Sequence, residues 1–142
     1  MEKIASFLKD HDALAVGLHA QTDANRITTF DLRMKKPNAG DYITPKALHT
    51  IEHLMATVLR NSREKDNIVY FGPMGCRTGF YLLTLRLTYE EVLALLKECI
   101  PAALALDEIP GSGRRECGNY LEHDLAGAKQ ELAAYLAVLE AL

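Results

Sequence analysis

Two histidines four residues apart with a glutamate between them, His49 and His53 around Glu52, are the residues of this sequence best placed to do chemistry. Side chains four apart on a helix project side by side, so two imidazoles in that spacing can share one metal ion. Glu52 flanks them and can act as a general base toward a bound water or a substrate. The same H-x-x-E-H order marks one class of metallopeptidase. Two ligands do not make a catalytic centre, which wants three protein ligands and an open position. Cys117, in RRECGNYLEHDL, follows a loop and offers a thiolate, a good third ligand for a borderline-soft divalent ion. Cys76, in GPMGCRTGF, stands among glycines that allow tight turns and close approach of backbone to a ligand. Arg77 beside it can favour the thiolate if its side chain turns that way. Each of these residues also has a plainer reading: a solvated helix face for the histidines, a packed loop position for the thiols. Cys99 lies on an apolar helical stripe and reads as core. His11, His19 and His123 have no spacing that pulls them toward the pair.

The elements that must position these groups follow from periodicity. At the helical repeat, His49, Glu52, His53, Ala56 and Arg60 share an arc roughly 100° wide. Ala47, Leu48, Ile51, Leu54, Met55, Val58 and Leu59 fill the opposite, apolar side. Thr44-Pro45 supplies an N-cap and a first helical residue, and the helix should run to about Arg60. AVGLHA, RITTFDLRM, NIVYFGPM and GFYLLTLRLT read as strands, the second with Phe30, Leu32 and Met34 alternating against a polar face of Thr29, Asp31 and Arg33. Thr88-Tyr89-Glu90-Glu91 has capping-box spacing and opens a second helix, which Pro101 should kink or end. A last helix starts near Leu125. Strands grouped as neighbours, with helices between and after them, predict an α+β fold: an antiparallel sheet packed with helices, one of them bearing H-x-x-E-H.

Length and composition bound the rest. A chain of 142 residues forms one domain most simply, spanning residues 1–142, and needs no disulfides to stabilise its core. A net charge of −3 and no basic stripe argue against nucleic acid as a partner. No apolar run approaches the ~20 residues of a membrane-spanning helix, and the N-terminus lacks the pattern of a signal peptide. Three cysteines suit reduced thiols, and a cytoplasmic location is expected.

HTIEHL, PMGCRTGFYL and ECGNYLEHDLAGAK, in this order, resemble the S-ribosylhomocysteine lyases, bacterial enzymes that make the precursor of a quorum-sensing autoinducer. SFLKDH and FDLRMKKPN are similar to segments of the same family, so the resemblance runs from Ser6 to the last helix. It implies a homodimer with active sites at the subunit interface. It implies one divalent metal ion per subunit on His49, His53 and Cys117, physiologically Fe(II), with Zn(II) or Co(II) able to substitute. The implied reaction cleaves S-ribosylhomocysteine to homocysteine and 4,5-dihydroxy-2,3-pentanedione by carbonyl migration through enediolates and β-elimination. Such chemistry calls for a Lewis acid on the sugar oxygens and bases beside the carbons, roles that fit Glu52 and Cys76. Ser6, His11 and Arg33 would hold the homocysteine end, from the partner subunit. One departure stands out: many family members carry an aspartate where this chain has Tyr70, and that aspartate is thought to help hold the substrate amino group. His123 matches the family's C-terminal motif and is assigned no role. Two alternatives stay open. An inverted-zincin peptidase would take Glu90, Glu91 or Glu98 as third ligand but leaves Cys76 and Cys117 idle. A non-catalytic metal-binding homologue needs neither Glu52 nor Cys76.

Overall fold

Alternation along residues 27–33 decides how the sheet is used. The strand here called β2 (Ile27–Arg33) buries Phe30 and Leu32 on one face. Pairing carries that face to Ala20 and Leu18 of β1 (Gly17–Thr22), and to Leu82 and Phe80 of β4 (Gly79–Leu85). Phe71 of β3 (Ile68–Pro73) completes it opposite Leu82. All pairings are antiparallel and the strand order is β1-β2-β4-β3 in this computed structural model, which describes residues 1–142. Gly79, opposite Arg33, has to be glycine because a Cβ there would run into the Leu32 carbonyl oxygen.

Three helices, α1 (Pro45–Arg60), α2 (Tyr89–Leu104) and α3 (Leu125–Glu140), share one continuous core with that sheet face. Ile51, Leu54 and Leu59 of α1, Leu95 and Ile100 of α2, and Leu139 of α3 are wholly buried there. Each such side chain contributes about 1.5–3 kcal/mol on leaving water. Every helix begins on a side chain that accepts from its own first turn. Thr44 accepts from the Ala47 N–H, with Pro45 at the first position. Thr88 accepts from Glu91, whose carboxylate accepts the Thr88 N–H in return. Asp124 accepts from Gly127.

Two expectations are corrected. Pro101 neither ends nor interrupts α2, which continues to Leu104. The proline lies on the exposed side, while Ile100 and Ala103 are fully buried and hold the last turn against the core. The polar face of β2 is also covered more closely than alternation implies, since Asp31 and Arg33 are each only 1% exposed. The N-terminal segment, with a 3-10 turn at Ala5–Leu8, lies beside that face. Its Lys9 ammonium sits 3.0 Å from the Asp31 carboxylate and 5.7 Å from the centroid of the Tyr81 ring. No helix is long and apolar enough to cross a membrane.

Candidate metal centre

Helix α1 presents His49 and His53 toward the loop that joins α2 to α3, and that loop orients both rings. The Nδ1–H of His49 donates to the Glu122 carbonyl at 2.8 Å, and that of His53 to the Pro110 carbonyl at 2.9 Å. A carbonyl only accepts, so both rings carry their proton on Nδ1 and keep a free lone pair on Nε2. The two Nε2 atoms stand 3.1 Å apart. Gly111, at φ +65°, turns the loop just past Pro110, a left-handed conformation that favours glycine. A turn closed by the Cys117 N–H on the Gly113 carbonyl, at 3.0 Å, brings Cys117 to the same point. Its Sγ lies 3.4 Å from His49 Nε2 and accepts the Asn119 N–H at 3.4 Å.

His123 joins them. Its ring stacks on His49 with centroids 3.9 Å apart, and its Nε2 is 3.7 Å from Cys117 Sγ. Burial and the nearby His49 and His53 imidazoles hold its pKa below the usual histidine value. One donor atom from each of these four residues falls within 4.8 Å of the others. Converging imidazole nitrogens with outer atoms tied to carbonyls, beside a thiol, fit a borderline-soft divalent cation. Sequence reasoning passed over His123 and also Thr50, whose hydroxyl is 2.9 Å from His123 Nδ1. The available signal was a histidine six residues past Cys117 and directly before the helix-capping Asp124.

Glu52 lines a cavity beside this cluster, together with His53, Arg60, Tyr70 and Glu116. Tyr70 folds its ring back over Gly72, where any Cβ would collide with it. The position where this chain departs from the resemblance thus carries a bulky phenol on the wall of the Glu52 cavity.

A second cavity holds the remaining candidates. Ser6, His11, Arg33 and Cys76 line it with Met74 and Tyr81. Cys76 is exposed in the turn between β3 and β4. Its neighbour Arg77 does not face the thiol: it donates to the Ile43 carbonyl at 3.0 Å. The cation near Cys76 is instead Arg33, reached through a hydroxyl. Arg33 Nη1 donates to Thr78 Oγ1 at 2.8 Å, and Thr78 Oγ1 is 3.0 Å from Cys76 Sγ. A guanidinium only donates, so the Thr78 hydroxyl proton is left for the sulfur. Arg33 is aimed by Asp31, which accepts from Nε at 3.1 Å and Nη2 at 2.7 Å. Within one chain, then, the four-donor cluster and Glu52 form one group, and Cys76 with Ser6, His11 and Arg33 another. The two cavities share no lining residue.

An α+β protein with a mixed cluster of imidazoles and a cysteine sulfur is the class that fold and site define. The S-ribosylhomocysteinase (LuxS) family model matches residues 4–141. The S-ribosylhomocysteine lyase of Borreliella afzelii is 46% identical, covering 98% of this chain and 93% of its own. That of Phocaeicola vulgatus is 46% identical over 96% of this chain and 89% of its own. The lyase of Desulfotalea psychrophila is 44% identical over 95% and 89%. The chain belongs to the S-ribosylhomocysteinase family.

Proposed function

We propose that this protein is a lyase that cleaves S-ribosylhomocysteine to homocysteine and 4,5-dihydroxy-2,3-pentanedione, the autoinducer-2 precursor, and works as a homodimer with composite sites. The observation that carries the reading is the cluster of imidazoles and a thiol beside Glu52, in a chain that matches the family over residues 4–141. No electrons are lost or gained overall. The sugar carbonyl migrates along the chain by proton transfers, and β-elimination then breaks the carbon–sulfur bond as a proton leaves the neighbouring carbon. His49, His53 and Cys117 would hold a divalent ion, Fe(II) physiologically with Zn(II) or Co(II) able to replace it, which would supply Lewis-acid polarisation of the sugar oxygens.

The chain's own residues move the protons. Cys76, as thiolate, takes a proton from a sugar carbon and returns it to the next one. The Thr78 hydroxyl, polarised by Arg33, donates to that sulfur and steadies its anionic form. Glu52 exchanges protons with the sugar oxygens and removes the proton that triggers elimination. Ser6, His11 and Arg33 take the amino-acid end of the substrate. Asp31 holds Arg33 by Nε and Nη2 and Thr78 holds it by Nη1, which fixes the guanidinium charge on the wall of the Cys76 cavity for a carboxylate.

Cys76 and Glu52 line separate cavities of one chain, and this supports a site completed by a second copy. Phe7, exposed at 71%, lines the Cys76 cavity, and with Ile4 and Leu8 of the same segment, exposed at 58% and 70%, it suits burial against such a partner. The three unpaired thiols suit a cytoplasmic enzyme, with neither nucleic acid nor membrane as a partner.

The test is thiol release from S-ribosylhomocysteine by anaerobically purified, Fe- or Co-loaded protein. Absence of homocysteine from correctly metallated, folded protein refutes the lyase. Mixing inactive Glu52→Ala and Cys76→Ala chains should restore about a quarter of wild-type activity, because half the dimers then own one intact composite site. No recovery after subunit exchange refutes the shared site but leaves the lyase standing.

A further inference from the structure

We infer that His123 is a positioning residue that donates its Nε2–H to the Cys117 sulfur and is not a fourth metal ligand, a role selected by the Thr50 hydroxyl at its other nitrogen. This inference rests on the proposed metal centre and goes beyond it by dividing the three imidazoles into two ligands and one donor.

The division comes from what each Nδ1 meets. His49 and His53 face backbone carbonyls, so their Nε2 atoms are necessarily unprotonated and free to ligate. His123 Nδ1 faces Thr50 Oγ1 at 2.9 Å, and a hydroxyl can donate or accept. The remaining bond of that hydroxyl decides which. Thr50 Oγ1 accepts the N–H of Asp124 at 2.9 Å, and it bonds to no carbonyl of its own helix. Thr50 is 0% exposed, so water cannot take the hydroxyl hydrogen. A buried donor left without a partner costs about 1–3 kcal/mol. His123 Nδ1 is the acceptor within reach, and it can accept only if the ring proton sits on Nε2. That proton then points at Cys117 Sγ, 3.7 Å away, the ordinary range for a hydrogen bond to sulfur.

Two consequences follow for the centre. Three protein ligands remain, His49, His53 and Cys117, so one coordination position stays open to substrate. The thiolate accepts two N–H bonds, from His123 and from Asn119, and so passes less charge to a bound cation. A closed four-ligand site would instead be a structural one. Because Asp124 caps α3 through its side chain while its N–H sits on Thr50, the start of that helix holds the tautomer in place.

Nitrogen-15 NMR of histidine-labelled protein reads the tautomers directly, and the Zn(II)-loaded form is the probe because that ion is diamagnetic. His123, assigned by the loss of its signals in His123→Gln, should show a protonated Nε2 and a bare Nδ1. His49 and His53 should show protonated Nδ1 atoms and Nε2 signals displaced by zinc. A zinc-displaced, unprotonated Nε2 on His123 overturns the inference. If zinc displaces none of the three, the metal centre itself fails. The tautomer of His123 is then judged in the same spectrum, where a protonated Nδ1 overturns the assignment. In Co(II)-loaded protein, His123→Ala should keep one cobalt per chain and the d–d bands while the sulfur-to-cobalt band moves to lower energy. His123→Gln, whose amide can donate to the sulfur, should hold that band near wild type. Loss of cobalt stoichiometry or altered d–d bands in both variants means that a ligand was removed and overturns the inference.

Discussion

Thr78→Val replaces the hydroxyl between Arg33 and Cys76 by a methyl of the same shape, and so isolates two hydrogen bonds from packing. Thr78 is 1% exposed, and Arg33 beside it is equally buried, so water cannot substitute for the lost oxygen. The Arg33 Nη1–H at 2.8 Å loses its acceptor, and a bond with a charged partner is worth about 1.5–3 kcal/mol. The added methyl recovers less than about 1 kcal/mol, so the variant should be near 2 kcal/mol less stable. Urea unfolding at pH 7 and fixed protein concentration should show an earlier midpoint with unchanged slope. The second lost bond, at 3.0 Å to Cys76 Sγ, removes the donor that steadies the thiolate. Thiol release should fall about tenfold or more, since about 1.4 kcal/mol is one decade of rate. Bound metal should stay stoichiometric, because Thr78 is not part of the four-donor cluster. Thr78→Ser, which keeps the hydroxyl, should restore most of the activity. A Val variant within 0.5 kcal/mol of wild type and with full turnover would refute the hydroxyl bridge.

Asp31→Asn leaves the buried Arg33 guanidinium and Lys9 without their carboxylate, and a broken buried pair costs about 3–5 kcal/mol. A loss below about 1 kcal/mol on urea unfolding would show the pair to be dispensable. Cys117→Ala should lose stoichiometric metal, whereas Cys76→Ala should keep its metal and lose turnover; equal metal loss in both would mean that the two thiols have been misassigned. Burial pushes the Cys99 thiol up from its ordinary 9.0 to about 11. The unfolded chain therefore ionises first, and stability that is complete below pH 9 drains away as pH rises toward 11. The deficit should reach about 1.4 kcal/mol at pH 10. Cys99→Ala should flatten this part of the urea-derived stability profile, and a profile parallel to wild type would exclude Cys99 as its source.

Local patterns made most of the scaffold legible before any tertiary contact was considered. The Thr44-Pro45 start, the Thr88 capping box and the apolar stripes depend on residues within a turn or two of each other, and α1, α2 and α3 begin where the sequence places them. Strand positions agree within about three residues, close to the usual looseness of element ends. The position of Pro101 did not decode in the same way, because the force that keeps α2 intact is burial of Ile100 and Ala103 against distant residues.

The same boundary runs through the site. By itself the sequence determined that His49, His53 and Glu52 project from one side of a helix, since the helical repeat alone sets that direction. It also determined the supply of chemistry: two thiols outside the core, and an arginine on the polar side of β2. Only the tertiary structure decided which of these groups meet. The chain fold carried His123 and Cys117 to α1, put Cys76 beside Arg33 through Thr78, and left these two groups in separate cavities. Hydrogen-bond direction was decided there as well. Whether an imidazole is a ligand or a donor depends on the atom facing its other nitrogen, and for all three imidazoles that atom belongs to a residue 57 to 73 positions away. Periodicity reports which way a side chain points; what it meets is settled when the whole chain closes around it.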